Sequence, residues 1–235
     1  MENILKKSVP ILFPILIIAS LNISGCYRPP KPKEPYETLQ SEIKAKATKV
    51  KVEYLVDVIQ KHGSDEEQKA AVKLLAEIGK PSIAALIEKI KDDKAKHRDD
   101  YLLALKLIGE PTVGEVIILL DSDKPLVRED AFAILLAIGK DAVPSLIKSL
   151  SSDNKNIRPS IISLLAIIKD ERAVESLAKV FLDEKEDAKL RTQALAALVS
   201  IGKPAVPHLA RALHADDGET RKAASLAIEQ ITRGR

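Results

Sequence analysis

The sequence repeats itself with a period of about thirty residues, and this period constrains the fold more than any other feature. Six segments of similar sequence end on an isoleucine: Ile78, Ile108, Ile138, Ile168, Ile201 and Ile231. Successive isoleucines lie thirty residues apart, except that thirty-three separate the fourth from the fifth because the polar stretch 182–189 is longer. A fixed period of this length is typical of repeat architectures. It defines six units within residues 50–235.

Each unit contains two helical patterns joined by a polar turn. In the third unit, apolar residues run through 111–120 and again through 125–138, with polar residues between them. Pro81, Pro111 and Pro204 open three of the first helices, where a missing amide hydrogen costs little. Glycines that can adopt a left-handed conformation are expected to end four second helices: Gly79, Gly109, Gly139 and Gly202.

Apolar residues three and seven positions before each final isoleucine lie on one side of the second helix. They are Leu75, Leu105, Leu135, Leu165, Leu198 and Ile228, and then Ala71, Tyr101, Ala131, Ile161, Ala194 and Ala224. One short helix pair cannot bury this side alone, so we expect each unit to stack on the next. Aromatic residues make up only 3% of the chain, which suits closely packed helices. The sequence therefore predicts an all-α solenoid of six two-helix repeats, and residues 36–49 are expected to add a capping helix.

A charged pattern recurs in the turns. Five units carry an arginine ten positions before the final isoleucine, with an acid five residues before that arginine. The pairs are Asp93 and Arg98, Asp123 and Arg128, Asp153 and Arg158, Glu186 and Arg191, and Asp216 and Arg221. Carboxylates near helix starts favour the positive end of the helix dipole, and stacked arginines can bridge neighbouring turns. We interpret the pattern as a structural ladder rather than a catalytic site.

The first thirty-five residues differ from the rest. Lys6 and Lys7 precede an uncharged stretch, 9–21, which small residues follow. This layout is typical of a secretory signal peptide, and the stretch is short for a membrane span. We expect residues 1–25 to be a signal peptide, residues 26–35 a proline-rich linker, and residues 50–235 the solenoid that follows the capping helix.

Cys26, the only cysteine of the chain, follows Ile23, Ser24 and Gly25. This segment resembles the lipobox of bacterial lipoproteins, which implies a lipidated Cys26 and attachment to a membrane through acyl chains. By the same resemblance, Tyr27 after the cysteine implies the outer membrane, with the protein facing the periplasm. The alternatives are an ordinary cleaved signal beside an unrelated cysteine, and an uncleaved signal anchor.

The outward face of the middle second helices lacks charge. We call the following residues the second-helix stripe: Leu103, Leu107, Ala133, Leu136, Ala137, Ser163, Ile167, Ala196, Val199 and Ser200. The first and sixth units instead place lysine, glutamate and glutamine on this face. An open stripe of this extent predicts a partner-binding groove. The alternative is that short repeats curve tightly and bury the stripe against their own neighbours.

Units such as KPLVREDAFAILLAIGKDAVPSLIKSL resemble HEAT-type repeats, specifically the thirty-residue PBS-lyase HEAT-like variety, over roughly residues 50–233. The resemblance implies a right-handed α-α superhelix whose second helices line the concave side. The same family includes bilin lyases, and related arrays include deoxyhypusine hydroxylase with metal-binding His-Glu pairs. Asp141 and Glu171 depart from the family pattern, because they replace the usual opening proline.

The sequence offers little catalytic chemistry. Its four histidines form no H-E-x-x-H motif or His-Glu pair, and it contains no glycine-rich phosphate loop or G-x-S-x-G elbow. The basic residues number 37 and the acidic residues 34, a balance that does not favour nucleic acid. We expect no enzyme, cofactor or metal, but a lipid-anchored scaffold that binds an envelope protein through its concave face. The alternative is an enzymatic activity of the bilin-lyase or deoxyhypusine-hydroxylase kind.

Overall fold

A computed structural model describes residues 34–62, 64–92, 94–152 and 154–234. The predictions for the signal peptide, for Cys26 and for Asp93 and Asp153 lie outside these residues. Helix α1 is Pro35–Ile43. The first helices of the six units are α2 (Thr48–Asp57), α4 (Lys80–Lys91), α6 (Val113–Leu119), α8 (Val143–Leu150), α10 (Val174–Leu182) and α12 (Val206–Ala212). The second helices are α3 (Asp65–Ile78), α5 (Arg98–Ile108), α7 (Pro125–Ile138), α9 (Arg158–Ile168), α11 (Ala188–Ile201) and α13 (Gly218–Arg233).

Short turns of other helix types complete the first helices. A π-helical turn, Val58–His62, continues α2, and 3₁₀ turns precede four of the other first helices. These 3₁₀ turns are Glu110–Thr112, Gly139–Ala142, Glu171–Ala173 and Lys203–Ala205. No strand occurs in the part of the chain that the structure describes. The prediction of an all-α solenoid of two-helix repeats is confirmed.

Each second helix packs on the second helix of the next unit, so the core runs through the array without interruption. The residues predicted to be buried are buried, except that Ile228 is half-buried: Leu105, Leu135 and Leu165 are fully covered, and so are Ala131 and Ile161. Burial of a leucine side chain contributes about 2 kcal/mol, which explains why stacking stabilises helices too short to persist alone.

The last unit is covered on one side only. Leu213 follows α12 and is 38% exposed, whereas the equivalent Ile90, Leu120 and Leu150 are at most 4% exposed. Polar residues such as Lys222 and Gln230 occupy much of the surface of the last helix, as expected of a terminal repeat.

The predicted capping helix is shorter than residues 36–49. Helix α1 buries Leu39 and Ile43 and then ends, and Ala47 adopts an extended backbone before α2 begins. Residues 44–47 alternate lysine with alanine and have no large apolar side chain to bury. Val50 belongs to α2 instead and is 47% exposed. The apolar residues predicted to form one capping helix are therefore divided between α1 and α2.

The predicted glycine stops are present. Gly109 has a φ of +75°, and the other three predicted glycines also have positive φ. The fourth unit ends differently, because Lys169 adopts the left-handed conformation with a φ of +56°. None of the described helices combines the length and the hydropathy needed to cross a bilayer.

Candidate protein-interaction surface

The second-helix stripe is largely open in the structure. Leu103, Leu107 and Ile167 are 45%, 56% and 52% exposed, and Ala133 and Ala137 are also exposed. The exposed members further include Ser163 and Ala196, and the half-buried ones are Leu136, Val199 and Ser200. Large apolar side chains facing solvent cost free energy unless a partner covers them. The stripe is therefore not buried against neighbouring units at Leu103, Leu107 and Ile167, although Leu136 and Val199 are partly covered.

The two serines of the stripe direct their hydroxyl hydrogens to the backbone. Ser163 Oγ donates to the carbonyl of Pro159 at 2.9 Å, and Ser200 Oγ donates to the carbonyl of Ala166 at 3.0 Å. The second bond joins α11 to α9, so it also links two units. Because each hydroxyl donor is satisfied internally, these serines act as small side chains that interrupt the apolar surface little.

The first unit closes one end of the stripe. Tyr36 of α1 donates its hydroxyl to Glu77 at 2.6 Å, and the Lys73 ammonium lies 4.5 Å from the centre of the Tyr36 ring. Lys73 and Glu77 are the first-unit equivalents of Leu103 and Leu107. The hydrogen bond to Glu77 raises the pKa of Tyr36. At the other end of α1, Tyr54 of α2 donates its hydroxyl to Glu42 at 2.5 Å, so α1 is also joined to α2.

The other end of the stripe extends further than the sequence analysis predicts. Leu226 of α13 is 57% exposed and lies five positions before its final isoleucine, as do Leu103 and Ala133. It was missed because the sixth unit was interpreted as a polar terminal repeat. Its position relative to Ile231, which matches that of Leu103 relative to Ile108, could have identified it from the sequence.

The turn arginines hold their own turns together. Arg128 donates to the carbonyls of Ser122 and Asp123 at 2.7 and 3.1 Å. Arg221 donates to the carbonyls of Ala215 and Asp216 at 2.7 Å each. In these turns the acid of the predicted pair contributes its backbone oxygen to the arginine. The guanidinium thus closes the connection between the two helices of one unit.

Several of the same arginines also reach the following unit. Arg98 bonds Asp130 of α7 at 2.6 Å, and Arg158 bonds Glu186 at 2.5 Å. Arg191 donates to Thr220 Oγ1 of α13 at 2.7 Å. The ion-paired side chains are only about one-tenth exposed. The arginines therefore connect successive units through two carboxylates and one hydroxyl. Among the acids of the predicted pairs, Glu186 provides one of these carboxylates.

A second apolar feature lies on the first-helix face. Ile118 of α6 is 65% exposed, whereas Glu88, Lys148, Lys179 and Arg211 occupy the equivalent position in the other units from the second to the sixth. Ile118 lines a cleft of about 720 Å³ together with Gly114 and Ile117. An alignment of the units would have identified Ile118, because the other four units have a charged residue at this position.

Two of the histidines that the structure describes each contact a single charged neighbour. His97 Nδ1 lies 3.7 Å from Asp100, and His208 Nδ1 lies 2.6 Å from the Arg211 guanidinium. Within residues 34–234, leaving aside the three positions not described, no three His, Cys, Asp or Glu side chains come together as a metal site would require.

Residues 52–137 and 115–198 match the family model for HEAT repeats. These segments cover more than half of the chain, so the chain belongs to the HEAT-repeat family. No match to a curated protein sequence was found.

Three solved structures illustrate what the fold resembles. Human deoxyhypusine hydroxylase in complex with glycerol is 18% identical, with 84% of each chain covered and a TM-score of 0.43. An engineered protein is 19% identical over 86% of this chain and 98% of its own, with a TM-score of 0.34. A designed armadillo repeat protein in complex with the peptide (KR)4 is 14% identical over 85% and 100%, with a TM-score of 0.36. These similarities assign no function to this chain.

Proposed function

We propose that this chain is a lipid-anchored scaffold of the bacterial cell envelope that binds a protein partner through the second-helix stripe. The observation that carries the proposal is the exposure of Leu103, Leu107 and Ile167 on neighbouring second helices. Helices held rigidly by a continuous core present these side chains at fixed spacing, as interaction surfaces require. The HEAT-repeat fold supports a scaffold role, although repeat scaffolds bind very different partners.

Site-specific photocrosslinking tests the stripe. A photoreactive amino acid replaces Ala137, which lies exposed between Leu107 and Ile167, and crosslinking is carried out in intact cells. We expect a crosslinked product that is lost in the Leu107→Lys/Ile167→Lys variant, because buried charge opposes association. Ile118→Lys is the matched control, since Ile118 is a still more exposed apolar side chain on the first-helix face. The stripe is not the binding surface if the double variant crosslinks as well as the wild type.

The membrane attachment rests on the sequence around Cys26. A thioether-linked diacylglycerol at this residue would hold the chain at the membrane, because each buried methylene contributes about 0.8 kcal/mol. We place the solenoid on the periplasmic side of the outer membrane. The thirteen uncharged residues 9–21, after two lysines, support export.

Fatty-acid labelling tests this attachment. Cells that express the full chain are labelled with radioactive palmitate and then separated into soluble and membrane fractions. We expect the wild type to carry label in the membrane fraction and Cys26→Ser to carry none and to become soluble after cleavage. A cleaved Cys26→Ser chain that stays in the membrane contradicts lipid anchoring.

The proposed role involves no catalysis, no cofactor and no nucleic acid. The purified protein is expected to be colourless and free of stoichiometric iron. A bound tetrapyrrole or iron would instead favour the activity of a bilin lyase or a hydroxylase.

A further inference from the structure

We propose that one partner of the second-helix stripe is a second copy of this chain, which binds face to face about a two-fold axis at α9. The inference rests on the proposed function of the stripe as a binding surface and names its occupant. Rotation about a two-fold axis parallel to the second helices reverses the order of the units. Each residue keeps its height along the helix direction, so equivalent positions of facing helices meet. The rotation therefore places α5 opposite α13 of the other copy, α7 opposite α11, and α9 opposite itself.

One row of exposed side chains, which includes five residues of the last five second helices, reads nearly the same in both directions. Five positions before the final isoleucines of the last five units lie Leu103, Ala133, Ser163, Ala196 and Leu226. All five are exposed. Under the two-fold axis, leucine meets leucine at both ends, alanine meets alanine, and serine meets itself at the centre. A two-fold interface needs this self-complementarity, because one patch must fit its own copy.

The charged residues beside the stripe are complementary under the same operation. Asp99 and Lys222 both lie nine positions before their final isoleucines, and Lys96 and Glu219 both lie twelve positions before. All four are exposed. The axis therefore brings Asp99 of one copy to Lys222 of the other and Lys96 to Glu219, and each pair forms twice. Charge complementarity of this kind sets the register and the choice of partner more than it sets affinity.

The available surface matches what a stable dimer requires. Five second helices packed about 10 Å apart extend over about 40 Å. A second helix of fourteen residues is about 20 Å long, because an α-helix rises about 1.5 Å per residue. The face therefore measures about 800 Å², which is the area that each partner of a standard interface buries.

Disulfide crosslinking of the full chain in isolated envelopes tests the arrangement. Ser163→Cys lies on the axis, so an added oxidant should join most of it into covalent dimers. Leu103→Cys and Leu226→Cys should each crosslink poorly when expressed alone and strongly when expressed together. The wild type, whose only cysteine is Cys26, gives the background, and Ile118→Cys controls for random collision. Equal crosslinking of Ile118→Cys and Ser163→Cys, or stronger crosslinking of Leu103→Cys alone than of the mixture, overturns the proposal.

Charge reversal provides an independent test of the register. Asp99→Lys in the Ser163→Cys background places lysine against Lys222 and should reduce the dimer band at least several-fold. Adding Lys222→Asp restores opposite charges and should return the band to the level of Ser163→Cys. Because Asp99 and Lys222 are exposed, both charge variants should unfold at the same temperature as Ser163→Cys. Failure of the second change to restore the band contradicts the pairing.

The two proposals fail in different ways. If Ser163→Cys stays monomeric while the photoreactive group at Ala137 still captures another protein, the stripe binds a partner that is not a second copy. If Ala137 captures nothing and Ser163→Cys stays monomeric, both proposals fall.

Discussion

At the scale of single residues, Asp170 and Arg172 form a compact link between the fourth and fifth units. Arg172 donates to both carboxylate oxygens of Asp170, at 2.8 and 2.9 Å, and to the carbonyl of Lys140 at 2.8 Å. Asp170 is 8% exposed. The hydrogen bonds from Arg172 lower the pKa of Asp170 to about 2, against the smaller opposing effect of burial.

Asp170→Asn should lower stability in a pH-dependent way. The carboxylate has a lower pKa folded than its unfolded value of about 3.9, so its contribution is full above pH 4 and is lost as pH falls towards 2. Because half of the Arg172 side chain faces solvent, we expect a difference in unfolding free energy of only about 1 kcal/mol at pH 7. Urea unfolding at pH 7, 4 and 2.5 measures it. Glu171→Gln is the exposed control, and an Asp170→Asn effect that is constant with pH contradicts the assignment.

Two glycines separate backbone strain from helix propensity. Gly109 has a φ of +75°, whereas Gly114 lies within α6, and an added Cβ meets open space at both. Gly109→Ala should destabilise the protein by about 1 to 3 kcal/mol, because a φ of 75° with a ψ of −135° is a backbone conformation that essentially only glycine adopts. Gly114→Ala should stabilise it by about 0.5 to 1 kcal/mol. Chemical denaturation of both variants decides the matter, and a loss of stability in Gly114→Ala would be unexpected.

At the scale of the helix, α5 shows how one element serves both core and surface. Leu105 is fully buried against neighbouring helices, and Leu107, two residues later, is 56% exposed. The difference follows from the helical turn of about 100° per residue, which places positions two apart on different faces.

This contrast yields a prediction for α5. Leu105→Ala should cost 2 to 5 kcal/mol of unfolding free energy, since it leaves a cavity in a packed core. Leu107→Ala should change the free energy by less than about 0.5 kcal/mol while weakening association through the stripe. Urea titrations report stability, and the Ala137 photocrosslink reports association. Similar losses of stability in both variants contradict the separation of roles.

The helices also show which features the sequence could predict. The period determined the core positions of α5, α7 and α9, because buried side chains must repeat with the units. It could not decide whether Leu107 and Ile167 are open or self-buried, since both arrangements use the same residues. The partners of Arg128 and Arg221 were inaccessible for another reason: their acceptors are backbone carbonyls, which no residue type marks. The end of α1 at Ile43 was missed because Ala47 and Val50 continue the helical spacing, although residues 44–47 offer no large apolar side chain.

At the scale of the whole array, stability should vary along the chain. The main contacts between second helices join neighbouring units, so a middle helix is covered on two sides and the last described helix, α13, on one, whereas α1 covers the outer side of α3. The fold is therefore a row of similar modules rather than one centre surrounded by helices.

Amide hydrogen exchange should follow this order. The amides of α7 and α9 are expected to exchange more slowly than those of α13, because opening the last unit breaks one interface and opening a middle unit breaks two. Helix α13, with sixteen residues, is the longest of the described helices, so helix length alone predicts the reverse. Native-state exchange followed by mass spectrometry distinguishes the two, and slowest exchange in α13 would contradict the modular account.

The partial exposure of Leu213 has an evolutionary consequence. Leu213 is 38% exposed, whereas its counterparts in earlier units are almost completely buried. An additional unit could pack against this exposed side chain. Duplication of a thirty-residue gene segment could therefore lengthen the protein without inventing any new kind of contact. Each such insertion would carry the binding face about 10 Å further, so reach can be adjusted by counting modules rather than by redesigning them.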